Sequence, residues 1–239
     1  MAPTNRPETL DLLTEGEIRP LGLMPRASNY TFLAEVGGLD RTVLAVYKPR
    51  EGESPLWDFP EGTLCNREVA AYMLAQALGW PDVPPTVLRN GPMGPGSLQL
   101  FVEADPRQHF FTLRVLCLDE FMPVATFDVV ANNADRKSGH CLRAEDGTIW
   151  VVDHGVCFST EPKLRTVIWE FAGQAIPRRQ REDLRRVAGE IRSGALRQSL
   201  LGMLSEREVD ATVRRAEGLA ATGRFPRPGH RRAYPWPPV

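Results

Sequence analysis

Four ionisable residues stand where ordinary surface chemistry does not account for them. Lys48 closes the run Thr42-Val-Leu-Ala-Val-Tyr-Lys48, and alternation along an extended chain puts it on the same face as Leu44 and Val46. Twenty residues on, Glu68 falls on the helical stripe Cys65, Glu68, Val69, Tyr72, Met73 and Gln76, whose spacings of three and four define one mostly apolar face. Burying either charge alone is costly, and pairing the two across a strand–helix contact removes much of that cost. A lysine held this way can grip phosphate oxygens. The other two are Asp135, in a polar loop after the apolar run Phe127-Asp-Val-Val-Ala131, and Asp153, which ends Val151-Val152-Asp153-His154-Gly155. Two carboxylates facing each other across a loop suit Mg2+ and a phosphoryl group.

These residues need elements to bring them together. Residues 17–23, 30–36 and 42–48 read as strands, the last two joined by the turn Gly37-Gly38-Leu39-Asp40. A loop over 51–62 containing Trp57 and Phe59 leads to a helix ending at Gly79, with Pro81 as a stop signal. Residues 97–102 read as a further strand, and 103–107, which includes Glu103 and Pro106, as the connector between two lobes. Beyond it, 113–132 is expected to be largely helical with Pro123 kinking or dividing it. A hairpin follows, with strands at 141–143 and 148–153 and a turn at Asp146-Gly147. Antiparallel pairing there brings His140 close to Val152 and Asp153. The remainder reads as helical, with the capping box Ser205-x-x-Glu208 opening one segment. The division is an N-terminal extension (1–15), a sheet lobe with one helix (16–105), a helical lobe (106–222) and a Pro/Arg-rich tail (223–239), expected to be an extended strap or disordered.

Composition narrows the class. With 239 residues, 42% of them hydrophobic, the chain can bury a real core. A net charge of -1 gives no global field for nucleic acid or an anionic membrane. The four cysteines lack a C-x-x-C pair, and the chain has neither a signal-peptide pattern nor a membrane-spanning run, so a cytoplasmic protein is expected. Only Lys48, Lys137 and Lys163 are lysines; the other 26 basic residues are arginine. Each lysine therefore invites a question.

A strand lysine, a helix glutamate, a loop aspartate and Asp153-x-Gly155, in that order, resemble the protein-kinase-like superfamily, and most of all its phosphatidylinositol 3-/4-kinase-related branch. Asn133-Ala-Asp135-Arg136-Lys137 and Val152-Asp153-His154-Gly155-Val-Cys-Phe158 are similar to the catalytic and metal loops of type II phosphatidylinositol 4-kinases. The whole chain resembles a group of actinobacterial phosphatidylinositol-kinase-like proteins, with the signal carried from about residue 17 to about residue 177. The resemblance implies an α+β, two-lobed protein-kinase-like fold, with a small antiparallel-sheet N-lobe and a mostly helical C-lobe. It implies that Lys48 contacts ATP phosphates, Glu68 orients Lys48, Asp135 is the catalytic base or orienter, and Asp153 binds Mg2+ or Mn2+. Ser28, Asn29 and Glu103 join Lys48 as expected nucleotide contacts.

Two departures bear on function. The loop Pro25-Arg-Ala-Ser28-Asn29-Tyr30 holds no glycine, so Ser28 and Asn29 would have to supply the phosphate donors. His140 stands where the family has a metal-binding asparagine, and imidazole favours Mn2+ over Mg2+. Zinc at His140, Cys141, His154 and Cys157 is disfavoured, because neighbours on a strand point to opposite faces and isolated cysteines behave as small hydrophobes. The expected function is transfer of the ATP γ-phosphoryl group to a hydroxyl on a protein, lipid or small molecule. The alternatives are a nucleotide-binding pseudokinase acting through a partner, and transfer of AMP.

Overall fold

The computed structural model describes residues 6–24, 29–39, 41–229 and 232–239. Strands β1 (Glu17–Leu23), β2 (Phe32–Gly37), β3 (Thr42–Pro49), β4 (Thr86–Gly91) and β5 (Gly94–Leu100) form one sheet in the order β1-β2-β3-β5-β4, antiparallel throughout. The sequence did not announce β4, whose polar Arg89 and Asn90 mask the alternation. It also left unread helix α1 (Arg6–Glu15), expected only as an extension. Tertiary contacts stabilise α1: Leu13 is fully buried against the sheet, and the Arg89 guanidinium donates to the carbonyls of Leu13 (2.9 Å) and Gly16 (2.8 Å) at the helix end.

Alternation along β3 divides its side chains as expected, but the fully buried face is the other one. Ala45 and Tyr47 join Leu13, Ala34, Val36 and Leu98 in the core on that side. Leu44, Val46 and Lys48 line the opposite face, where Leu44 is 42% exposed. Helix α2 (Leu64–Leu78) ends at Gly79, which takes the left-handed conformation (φ 80°) that glycine adopts without strain. Its burial extends beyond one stripe. Arg67, Glu68, Ala70 and Ala71 are all buried, because α2 is sandwiched between β4–β5 and the later helices α5 and α6.

In the second lobe, α3 (Phe110–Cys117) and α4 (Met122–Ala131) are separate helices joined by a short 3-10 turn. Pro123 lies in the first turn of α4, where its missing N–H is harmless, so it stands at the division between the two helices and not inside one. Strands β6 (Cys141–Arg143) and β7 (Ile149–Val151) pair as the expected hairpin. The expectation that everything beyond it is helical fails over residues 152–177, which hold no helix. Backbone groups there bond sideways to the loop after α4: Arg165 N–H to the Asn133 carbonyl (2.9 Å), Arg136 N–H to that of Arg165 (2.9 Å) and Val167 N–H to that of Arg136 (3.1 Å). Helices α5 (Arg178–Ser193), α6 (Ala195–Leu201) and α7 (Glu206–Thr222) complete the lobe. The capping box that opens α7 forms, with Ser205 N–H donating to the Glu208 carboxylate at 2.9 Å.

The described tail is a strap. Phe225 is buried, the Ala233 carbonyl accepts from Thr166 N–H and Trp169 Nε1–H (3.1 Å each), and the Pro238 carbonyl accepts from Ser138 N–H at 2.9 Å. It thereby ties together 166–169 and the loop carrying Asp135.

Candidate active site

The end of β3 aims Lys48 at two carboxylates from different parts of the chain. Its ammonium donates to Glu68 Oε1 on α2 and, at 2.8 Å, to Asp153 Oδ1 just beyond β7. The second oxygen of Glu68 accepts the His154 backbone N–H at 2.9 Å, so Glu68 is held from both sides and is only 3% exposed. Asp153 is different. Its side chain is 49% exposed, and its other oxygen lies 3.2 Å from His140 Nε2. Its backbone has φ 61°, a left-handed conformation that few residues except glycine, asparagine and aspartate adopt readily.

Electrostatics sharpen this division. Burial alone would lower the pKa of Lys48, but Asp153 and Glu68 outweigh it and hold the ammonium above the ordinary lysine value. The Lys48 charge in turn holds the Asp153 carboxyl well below the usual range, despite the opposing effect of burial. Burial pushes His140 down to about 4, overriding the attraction of Asp153, so the imidazole is neutral at pH 7. An ionised carboxylate beside a neutral imidazole is a donor pair that a divalent cation accepts. Among the described residues no three His, Cys, Asp or Glu side chains converge into a ready-made cage. Divalent ions in phosphoryl-transfer sites take few protein ligands and complete their shell with phosphates and water; Asp153 supplies the carboxylate, and the His140 imidazole shifts the fit from Mg2+ toward Mn2+.

Asp135 sits on the neighbouring loop with its backbone N–H bonded to Asn133 Oδ1 at 2.9 Å, and its carboxylate lies 3.2 Å from Lys137 Nζ. Burial raises its pKa, while Lys137 pulls the other way.

Two buried arginines hold these loops in place; from the sequence, Arg136 was named only as part of the loop motif with Asp135, and Arg67 was not named. Arg136 and Asp128 are both fully buried; Arg136 donates to Asp128, to the Val152 carbonyl (2.9 Å) and to His154 Nε2 (2.7 Å). One guanidinium therefore joins α4, the Asp135 loop and the Asp153 loop. The available signal was Asp128 itself, the single charge within the apolar run of α4. Arg67 on α2 donates to the Cys157 carbonyl (2.7 Å) and to Glu208 on α7 (2.6 Å), anchoring the helix that carries Glu68 to the second lobe.

Of the remaining sequence candidates, Asn29 and Glu103 form no hydrogen bond or ion pair with this cluster. Ser28 lies outside the described residues. Asn29 uses its side-chain oxygen to accept the Ser54 N–H at 2.8 Å, fastening the β1–β2 loop to the loop after β3. Glu103 is exposed on the connector after β5. Cys65, Cys141 and Cys157 are buried and unpaired, with burial raising the Cys65 thiol to about 11 and that of Cys141 to about 12. No helix among the described residues is long and apolar enough to cross a membrane.

No protein-family model matches the chain. It is 39% identical to Protein Rv2133c of Mycobacterium tuberculosis over 274 aligned positions that span 99% of this chain and 98% of that protein. It is 33% identical to phosphatidylinositol 4-kinase gamma 4 of rice over 134 positions, covering 48% of this chain but only 23% of the plant protein's length. Among solved structures, the Golgi casein kinase with Mn/ADP bound matches 90% of this chain and 74% of its own, with a TM-score of 0.59 and 16% identity. The Helicobacter pylori proinflammatory kinase CtkA matches 89% of this chain and 94% of its own, with a TM-score of 0.52 and 15% identity. At such identities the likeness is one of fold.

Proposed function

The chain belongs to the family of the mycobacterial protein Rv2133c and has the two-lobed protein-kinase-like fold, and on that premise we propose that it is an ATP-dependent phosphotransferase acting on a hydroxyl acceptor. The observation that carries this reading is the shared Asp153 carboxylate, one oxygen on Lys48 and the other facing His140, with Glu68 behind the lysine. A cation and an ionised carboxylate on one wall suit a phosphate chain and its metal. That the Golgi casein kinase, a protein of the same fold, has been solved with Mn/ADP bound supports a nucleotide with a divalent metal as the ligand.

Each residue then has a role. Lys48 neutralises phosphate oxygens, and Glu68 keeps its ammonium in position. Asp153, with His140, would hold Mg2+ or Mn2+, which supplies charge neutralisation on the phosphates. Asp135 accepts the proton of the attacking hydroxyl as its oxygen bonds to the γ-phosphorus and the bond to the ADP oxygen breaks. In this reading the β1–β2 loop at Asn29 borders the phosphates, and Glu103, on the connector taken as the lobe boundary, borders the nucleotide. Most of the rate enhancement comes from positioning and electrostatics.

One observation favours a second reading, in which the chain binds nucleotide without transferring phosphate. Lys137 N–H donates to His140 Nδ1 at 3.4 Å, which assigns the ring proton to Nε2, the nitrogen 3.2 Å from the Asp153 carboxylate. A histidine in that tautomer turns a proton and not a lone pair toward Asp153, so Nε2 does not ligate metal there.

Incubation with ATP and Mn2+ or Mg2+, read by nucleotide analysis and by mass spectrometry of the protein, separates the possibilities. Release of ADP together with a phosphoryl increment on an acceptor supports phosphotransfer. An adenylyl increment would replace it with AMP transfer, and metal-dependent thermal stabilisation by ATP without turnover would favour the binding module.

The pH profile offers a separate check. Burial and Asp153 raise the pKa of Asp135, whereas Lys137 and Arg165 lower it. The acid limb of kcat/KM is expected above the ordinary aspartate value, because the base works only when ionised. Replacing Lys137 by Met removes a lowering charge and should move that limb to still higher pH. A shift in the opposite direction would remove Asp135 from the role of base.

A further inference from the structure

The loop between β3 and α2 reaches across to the second lobe through a side chain that the proposed chemistry does not use. Lys163 Nζ lies 2.6 Å from Asp58 Oδ2, with the two side chains only 13% and 12% exposed. The same ammonium stands 5.1 Å from the ring centre of Trp57 and 5.6 Å from that of Phe59, so one carboxylate and two aromatic faces surround it. Trp57 is otherwise exposed. Phe59 and Leu64 continue the contact inward onto Ala134, the residue before Asp135, with Leu56 and Val156 packed alongside.

The backbone of Lys163 is fixed as firmly as its side chain. Its N–H donates to Asn132 Oδ1 at 2.9 Å, while Asn132 Nδ2 donates to the carbonyls of Ser159 (2.9 Å) and Glu161 (2.7 Å). Asn132 caps α4 in the left-handed conformation (φ 53°) and leads directly into the Asp135 loop. A continuous path therefore runs from Asp135 through Asn132 and Lys163 to Asp58. From there the loop leads into α2, which carries Glu68, the partner of Lys48 on β3. It joins the two halves of the proposed site and meets the buried Arg67 anchor at Phe59, whose ring centre lies 4.9 Å from the Arg67 guanidinium.

We propose that Lys163 is a positioning residue, a cross-lobe latch closed on the Trp57-Asp58-Phe59 box that sets the Lys48–Glu68 pair against the Asp135 and Asp153 loops. The proposal rests on the phosphotransfer reading for its effect on rate, but the latch itself can be tested without it. Asp58 cannot pair with a neutral side chain, and an arginine keeps both the ion pair and the aromatic stacking.

The test compares wild type with Lys163→Met, Asp58→Asn and Lys163→Arg. It uses hydrogen exchange over residues 56–64 and 156–165 in nucleotide-free protein, and ATP turnover with Mn2+. Lys163→Met and Asp58→Asn should each accelerate exchange in both segments and lower kcat by about tenfold or more through misplacement of the reacting groups, with a smaller change in KM. Lys163→Arg should restore both readouts. Unchanged exchange in the Met and Asn variants would overturn the latch, and accelerated exchange with wild-type kcat would overturn its positioning role. If wild type itself turns over no ATP, the phosphotransfer reading and the rate effect fall together, while the exchange data still decide whether the latch holds the lobes.

Discussion

Asp153→Asn is expected to lower ATP turnover by roughly a thousandfold while leaving the fold intact, a loss comparable to removing other charged parts of a phosphoryl-transfer site. The size follows from charge. In this cluster Asp153 is the carboxylate that is both ionised and half exposed, so an incoming metal or phosphate can reach it, whereas Glu68 is spent on Lys48 and the His154 N–H. Asparagine keeps the shape and one acceptor oxygen, but a neutral amide cannot balance a dication. It also tolerates the left-handed backbone at φ 61°, which is why the fold should survive. Lys48 loses one of two anions that raise its pKa and should titrate closer to an ordinary lysine. Turnover with Mn2+, together with circular dichroism of the variant, checks the prediction, and wild-type turnover would remove Asp153 from the metal role.

Arg136→Met is expected to destabilise the protein by about 3–5 kcal/mol, because it leaves Asp128 charged, fully buried and without its cation. For a chain of this size that corresponds to a fall in Tm of roughly 10 °C. The change also strips the Val152 carbonyl and His154 Nε2 of their donor, so strain falls on the Asp153 loop as well as on α4. Adding Asp128→Asn should recover part of the lost stability, since a buried neutral amide costs less than a buried charge. Thermal denaturation of the single and double variants measures this directly. If both single and double variants melt with wild type, the Arg136 hub is not holding the two loops.

The local grammar of the chain was largely legible. Gly79 stops α2, Ser205 and Glu208 open α7, and the Asp146-Gly147 turn sets the β6–β7 hairpin, because each depends on interactions among residues close in sequence. The approach of His140 to Asp153 followed from that hairpin, and Val152 N–H does donate to the His140 carbonyl at 3.0 Å. The pairing of Lys48 with Glu68 followed from the cost of burying each alone. What failed depended on distant partners. Helix α1 is held by Arg89 and the sheet, and residues 152–177 are held by bonds to the Asp135 loop, so neither carries a periodic signal of its own.

The opening four residues show the same boundary. Their types and order are properties of the sequence, and so is the need of a buried lysine for a carboxylate. That Lys48 takes two carboxylates at once, that Arg136 ties both loops to α4, and that Lys163 closes on Asp58 across the lobes are decided only in three dimensions. Each is a contact between groups far apart along the chain, 105 residues in the cases of Lys48 with Asp153 and Lys163 with Asp58. Such contacts form only after the sheet, α2 and α4 have packed, and packing is where the burial energy that selects among possible partners is realised.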